Sequence, residues 1–326
     1  MDIAFFSTKP YDKIWFEPLS KEYSCHIHFI ESGINDETVV LAKNCVGICI
    51  FVNDYIDENI ASKLSSMGTK LILLRCAGFN NVDLNATKSH GITVLRVPSY
   101  SPAAVAEFSI ASILTVNRQL HRAYSRTRDF NMSINGLMGR DMNGKIAGVI
   151  GTGKIGQCMI NIFNGFNMKV LAYDPYPNEN LDAVYVSLDE LFEKSDFISL
   201  HCPLTKDTYH LVNSHMIKKM RPGVIISNTS RGSLIDSQAL IDGLKNGIIG
   251  GVALDVYEEE DGIFYEDVSN EIIKDDILSR LSTFPNVLIT SHMGFFTREA
   301  MQAIAIETLE NAFAYENGMK LINIVQ

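Results

Sequence analysis

Lys145-Ile146-Ala147-Gly148-Val149-Ile150-Gly151-Thr152-Gly153-Lys154-Ile155-Gly156 is the stretch from which the fold is read. Its apolar half reads as a β-strand, and its glycine half as a tight turn that opens a helix. The first glycine permits the turn, the second lets backbone approach a pyrophosphate, and the third lets the helix pack closely on the sheet. A helix that starts here presents unpaired N–H groups and a partial positive charge to phosphates. The next strand, Lys169-Val170-Leu171-Ala172-Tyr173, runs into Asp174, 18 residues after Gly156. A carboxylate at that place accepts hydrogen bonds from ribose hydroxyls and repels a 2′-phosphate. Pro175-Tyr176-Pro177 follows it, with no arginine, so the pattern favours NAD over NADP.

Outward from this unit, short β-branched runs alternate with helical stretches along the whole chain. The expected strands are Ile3–Ser7, His26–Ile30, Val46–Val52, Leu71–Arg75 and Ile92–Val97 in the first third. Ile146–Ile150, Lys169–Tyr173, Phe197–Leu200, Val224–Ser227, Gly251–Leu254 and Val287–Thr290 follow. Continuous apolar strands spaced by helices imply α/β architecture, with parallel sheets covered on both faces. Two such series imply two doubly wound (Rossmann/flavodoxin-like) domains joined by long hinge helices. One helix is expected from Pro102, capped by Ser101, towards Arg128, and another from about Thr297 to Asn317-Gly318. The expected domains are residues 1–100 with 298–326, discontinuous and substrate-binding, and residues 101–297, NAD-binding.

The 326 residues suit two domains, and 46% hydrophobic with 20% charged residues is ordinary for a globular protein. With 28 basic and 38 acidic residues the net charge is −10, which disfavours nucleic acid and anionic membrane as partners. No apolar run approaches the roughly 18 residues of a membrane span, and the N-terminus lacks the features of a signal peptide. Six cysteines without a Cys-x-x-Cys pair read as buried thiols of a cytoplasmic protein, not a disulfide framework or metal site.

Ligands of an open parallel sheet sit outside the carboxyl ends of its strands. Those ends carry His201-Cys202-Pro203, then Asn228-Thr229-Ser230-Arg231-Gly232, then Asp255 through Glu260, then Ser291-His292. An arginine fork suits a substrate carboxylate, and an imidazole beside a carboxylate suits a proton transfer. One Arg, one His and one Glu meet the needs of a 2-keto-acid reduction whose hydride comes from the cofactor. His201 is ambiguous between a strand-end cap and a cofactor contact. The nine carboxylates between Glu258 and Asp276 read mostly as a solvated loop, and His26, His28, His90, His121, His210 and His215 as structural or surface residues.

The runs Val149–Gly156, Asn228–Gly232 and Leu254–Glu258 closely resemble the D-isomer-specific 2-hydroxyacid dehydrogenase family, across essentially the whole chain. Leu74–Asp83, Val97–Pro102 and Leu200–Thr205 resemble its D-lactate dehydrogenase branch. The resemblance implies NADH-dependent reduction of pyruvate to D-lactate and the reverse, with larger 2-keto acids (2-hydroxyisocaproate or phenyllactate type) as the alternative and an NAD-sensing corepressor as a remote one. It implies catalytic roles for Arg231, Glu260 and His292, with Glu260 five residues after Asp255 and paired with His292. It implies substrate contacts from Ala77, Gly78, Tyr100 and Phe295. It places Gly151, Gly153, Lys154, Ile155, Gly156, Asp174, Cys202, Pro203, Thr208, Thr229, Ser230 and Asp255 at NAD. Asp255 is expected to face the nicotinamide carboxamide. Related enzymes are homodimers or homotetramers. Gly294 departs from the alanine frequent in the lactate branch, as Met293 does from its usual residue.

Overall fold

Short, mostly apolar strands, many of them buried on both faces, alternate with helices along the chain. The computed structural model describes residues 1–260 and 262–325. Asp261, one of the nine carboxylates, and Gln326, the end of the expected discontinuous domain, lie outside the described residues. The chain divides into two units, Met1–Ser101 with Phe296–Gln326, and Pro102–Phe295.

The first unit begins β1 (Asp2–Phe5), α1 (Pro10–Glu22), β2 (His26–Phe29), β3 (Gly47–Ile50), α2 (Glu58–Ser66), β4 (Leu71–Leu74), α3 (Leu84–Ser89) and β5 (Thr93–Arg96). Asp57 and Asp83 cap α2 and α3 by accepting the N–H of Ile60 and Ala86. Each such cap stabilises a helix by roughly 0.5–2 kcal/mol.

The second unit holds α4 (Pro102–Asn117), α5 (Leu120–Arg128), β6 (Ile146–Ile150), α6 (Lys154–Gly165), β7 (Lys169–Tyr173), β8 (Val184–Tyr185), α7 (Leu188–Lys194) and β9 (Phe197–Leu200). α8 (Ser214–Ile217), β10 (Val224–Asn228), α9 (Ser237–Lys245), β11 (Ile249–Leu254), α10 (Asp276–Ser282) and β12 (Val287–Ile289) follow. The chain then completes the first unit with α11 (Arg298–Glu316, capped by Thr297) and β13 (Ile324–Val325).

The first sheet has the order β13-β5-β4-β3-β1-β2, parallel except that β13 runs antiparallel to β5. The second has the order β12-β11-β10-β9-β6-β7-β8, parallel throughout. Period-two alternation divides its side chains between two cores. Ile150, Ile198, Leu200, Ile226, Val252 and Leu254 pack with residues of α7, α8, α9 and α10. Ala147, Val149, Val170, Phe197, Ile225 and Ala253 pack with α4 and α6. Chain direction away from β6 reverses between β6–β7–β8 and β9–β12, so the switch point of the sheet lies between β6 and β9.

One expectation changes. The helix expected to run from Pro102 to Arg128 breaks at Gln119, whose φ is +54°. The Asn117 side chain bonds the backbone of Arg140 through both its amide and its carbonyl, and Gly139 lies against the Asn117 carbonyl. A distant segment thus seals the end of α4. Within the acidic stretch, read mostly as a solvated loop, Asp275 caps α10. Four of the histidines read as structural or surface residues have carboxylate partners: His26 and His28 on Asp2, His90 on Glu58, and His210 on Glu258. All six cysteines are thiols, and burial pushes Cys49 up to about 12 and Cys202 up to about 11.

Candidate active site

The glycine turn connects β6 to α6 with little room to spare. Gly151 has φ +90°, and a Cβ there would lie 2.6 Å from the backbone between His201 and Cys202. A Cβ on Gly156 would lie 2.0 Å from the Gly151 carbonyl oxygen, so only glycine lets the helix approach the strand. At Gly153 a Cβ would meet nothing within 4 Å, and no side chain caps α6 at that residue. Lys154 is exposed and Ile155 half-buried at the first turn of α6.

Asp174 follows β7, beside this turn. Its Oδ2 accepts the Thr152 N–H at 2.7 Å and the Thr152 hydroxyl at 3.1 Å, while Oδ1 accepts the Tyr176 N–H at 2.9 Å. Tyr185, on edge strand β8, donates its hydroxyl to Thr152 Oγ1 at 2.9 Å and accepts the Asn178 N–H at 3.0 Å. A line of hydrogen bonds therefore fixes the acid against the glycine turn. Thr152 and Tyr185 escaped sequence reading because the bonds span 22 and 33 positions; the aromatic Tyr185 after Val184 was the faint signal of a further strand.

β9 and β10 end in polar atoms of two kinds. His201 Nε2 pairs with Ser199 Oγ at 2.8 Å, and Ser109 of α4 joins Ser199 to Ser227 of β10 at 3.0 Å each. The other ring nitrogen, His201 Nδ1, is buried without a partner, as is Thr229 Oγ1. Burial pushes the His201 imidazole down to about 4, so it is neutral near pH 7. Other groups are spent within the loops. Ser230 donates its hydroxyl to the Cys202 carbonyl at 2.6 Å, and Thr208 donates to the Pro203 carbonyl at 2.7 Å.

Arg231 leaves β10 half-buried, its Nη1 on the Ser230 carbonyl at 2.7 Å and its own carbonyl accepting the Asn228 amide at 2.8 Å. Gly232 presses this loop onto the next one. A Cβ there would fall 1.8 Å from the Tyr257 carbonyl oxygen, so no other residue fits.

β11 and β12, next to β10 in the sheet, carry the remaining groups. Asp255 is buried; its Oδ1 accepts the Thr290 hydroxyl at 2.6 Å and the Met293 N–H at 2.9 Å, and its Oδ2 accepts the Gly294 N–H at 2.7 Å. The Asp255 carbonyl accepts the His292 N–H at 2.7 Å. Its carboxylate is thus spent on the turn that carries His292. A Cβ on Gly294 would stand 2.9 Å from Asp255 Oδ2, which gives glycine a physical reason where the family branch often has alanine.

His292 sits at φ +53° in the left-handed region that side chains seldom adopt. Its Nδ1 pairs with Glu260 Oε2 at 2.9 Å, both side chains 17% exposed. Glu260 Oε1 accepts the Tyr257 N–H at 2.9 Å, which closes the turn after β11. Tyr265, which sequence reading overlooked in the acidic stretch, donates its hydroxyl to the His292 carbonyl at 2.9 Å. Among the described residues, His292 Nε2 has no hydrogen-bond partner. Phe295 is buried three residues on.

Ala77, Gly78 and Tyr100 belong to the first unit. The Arg96 guanidinium donates to the Ala77 carbonyl at 2.8 Å and lies over the Phe79 ring, and the Cys76 thiol meets the Gly78 carbonyl at 3.3 Å. This loop is held with its carbonyls engaged. Tyr100 is half-buried.

Residues 110–294 match the model of the D-isomer specific 2-hydroxyacid dehydrogenase NAD-binding domain. The chain is 51% identical to a 2-hydroxyacid dehydrogenase homolog of Haemophilus influenzae over 100% of this chain and 99% of that one. It is 50% identical to the D-lactate dehydrogenase of Escherichia coli over 98% of each. Against the apo-structure of the latter enzyme it gives a TM-score of 0.91 with 100% of both chains covered. Sheet order, glycine turn and sequence likeness agree: this chain belongs to the NAD-dependent, D-isomer-specific 2-hydroxyacid dehydrogenases.

Proposed function

We propose that the chain is a D-lactate dehydrogenase, reducing pyruvate with NADH and catalysing the reverse oxidation. The observation that carries this reading is the His292–Glu260 pair, whose Nε2 is left unpartnered at the strand edge that also bears Arg231. Likeness to an enzyme named D-lactate dehydrogenase along nearly the whole chain supports the same substrate.

The residues around the glycine turn fit NAD. Gly153 leaves open space where a pyrophosphate would approach, and the buried, unpartnered His201 Nδ1 and Thr229 Oγ1 are polar atoms waiting for a ligand. Gly151, Gly153, Lys154, Ile155 and Gly156 would hold the phosphates, and Asp174 the ribose. Cys202, Pro203, Thr208, Thr229 and Ser230 would line the remainder, with Asp255 reaching the cofactor's side through the His292 turn. When bound, NADH supplies the hydride. Arg231 takes the substrate carboxylate in a bidentate fork. His292 Nε2 gives its proton to the carbonyl oxygen as the hydride arrives, and recovers it in the reverse direction. Glu260 accepts from Nδ1–H, so the transferable proton resides on Nε2. The family resemblance assigns the Ala77-Gly78 backbone, Tyr100 and Phe295 to the substrate as well.

A panel of 2-keto acids with NADH, followed by chiral analysis of the product, tests the reading. Pyruvate with the highest kcat/KM and D-lactate as product support it. Preference for a bulkier 2-keto acid replaces the substrate, and tight NADH binding without any turnover replaces catalysis with sensing. Asp174→Ala should move coenzyme preference towards NADP, and Tyr185→Phe should move it the same way by less; an unchanged NAD-to-NADP ratio in both removes Asp174 from the site.

The partner we propose is a second copy of the chain. Phe130, Met132, Ile134 and Met138 are 87%, 67%, 83% and 95% exposed within nine residues, beyond α5, which has no buried residue. Apolar exposure this dense is characteristic of an interface. Light scattering should give at least a dimer, reduced to monomer by Phe130→Asp with Met138→Asp.

A further inference from the structure

Three potential metal ligands meet in the first unit, on residues given no part in the redox reading. His26 and His28 stand two apart on β2, so strand alternation turns both rings to one face. Asp2 on β1 is the direct register partner of His26. His26 Nδ1 and His28 Nε2 each lie 2.9 Å from Asp2 Oδ1, and the three donor atoms fall within 4.8 Å of one another. The two rings meet edge to face at 4.5 Å. All three side chains are open to solvent, at 74%, 45% and 49% exposure for His26, His28 and Asp2. Asp2 and His26 open their strands, whereas ligands of open parallel sheets sit at the carboxyl ends. Reading them singly as surface histidines misses that strand pairing brings them onto one carboxylate.

We propose that Asp2, His26 and His28 form a surface zinc site, with water completing the coordination. Two imidazole nitrogens with one carboxylate oxygen suit borderline cations such as zinc, while magnesium and calcium prefer oxygen donors throughout. Zinc bonds of about 2.0–2.2 Å set tetrahedral donors roughly 3.3 Å apart, so the two nitrogen–oxygen separations of 2.9 Å need to open by only a few tenths of an ångström. Exposed side chains make that adjustment without disturbing a core. Each donor comes from one of two paired strands, and β2 is the edge of its sheet. A bound ion therefore fastens the edge strand to its neighbour and stabilises the fold by mass action. This inference does not depend on the redox reading of the second unit.

Isothermal titration of zinc into the full chain, free of any histidine tag and in a non-chelating buffer, tests the proposal. One equivalent should bind to the wild type, at least about tenfold more weakly in His28→Ala and in His26→Ala, with Asp2→Asn weakened as well. Zinc should raise the unfolding temperature of the wild type and not that of the His26→Ala, His28→Ala double variant. Turnover of 2-keto acid, unchanged in these variants, shows that they are folded. No binding at millimolar zinc, or equal affinity in wild type and both single variants, overturns the assignment.

Discussion

Glu258 and Glu260 stand two residues apart on one turn, each paired with an imidazole, and the two pairs are wired in opposite senses. His292 meets Glu260 through Nδ1, the ring nitrogen nearer the backbone, and its outer Nε2 keeps no partner among the described residues. His210 meets Glu258 through Nε2 at 2.6 Å, so its outer nitrogen is consumed. The other oxygen of Glu258 accepts the Ser237 N–H at 3.0 Å, the His210 ring stacks on Tyr209 at 4.0 Å, and its N–H bonds the Ser233 carbonyl. Both histidines hold a left-handed backbone, φ +53° and +50°. The same two residue types thus leave an imidazole with its outer nitrogen unpartnered in one place, the nitrogen proposed to move the proton, and make a brace for the Arg231 loop in the other. What separates them is which nitrogen the carboxylate occupies.

Substitutions at the two pairs should divide cleanly. His292→Gln should lower kcat by about 10³-fold while NADH titration stays near wild type, since general acid catalysis contributes about 10²–10⁴. Glu260→Gln, which loosens the ring and its tautomer, should cost about 10²-fold in kcat. Equal damage from His210→Gln would break the distinction between tool and brace. His201 offers a third imidazole, buried and without a carboxylate. Its unfolded form binds a proton near 6.5 and its folded form only near 4. Stability from this residue is whole above 6.5 and falls as pH drops towards 4, by roughly 2–3 kcal/mol, readable in denaturant melts across that window. His201→Gln should flatten that slope. Glu258→Ala should lower stability by about 1–2 kcal/mol, through the Ser237 N–H and His210 it leaves unpaired, and leave kcat within about threefold.

The parallel sheets, the glycine turn and the strand-end positions of Arg231 and His292 were legible because each rests on local pattern, whereas Glu260 was singled out only through the family resemblance. Apolar runs such as Leu71–Leu74 are strands whatever lies elsewhere, and Gly151 and Gly156 mark close approaches that no side chain tolerates. Features set by distant residues were not legible. β8 and β13 are two residues long and exist only through their neighbours. The break at Gln119 depends on Arg140, and the pairing of His210 with Glu258 spans 48 positions. Asp255 was expected beside the cofactor from its motif. Its three hydrogen bonds to the His292 turn appear only once β11 and β12 lie side by side.

The central claim is that the Arg231 fork and the outer nitrogen of His292 act on one small keto acid. The most direct measurement is a crystal structure with NADH and oxamate, whose amide oxygen stands in for the carbonyl oxygen of pyruvate. The account predicts two parallel bonds from the Arg231 guanidinium to the carboxylate, and His292 Nε2 about 3 Å from the amide oxygen. A bound oxamate whose carboxylate is held without Arg231, or whose amide oxygen is served by a group other than His292, would contradict it.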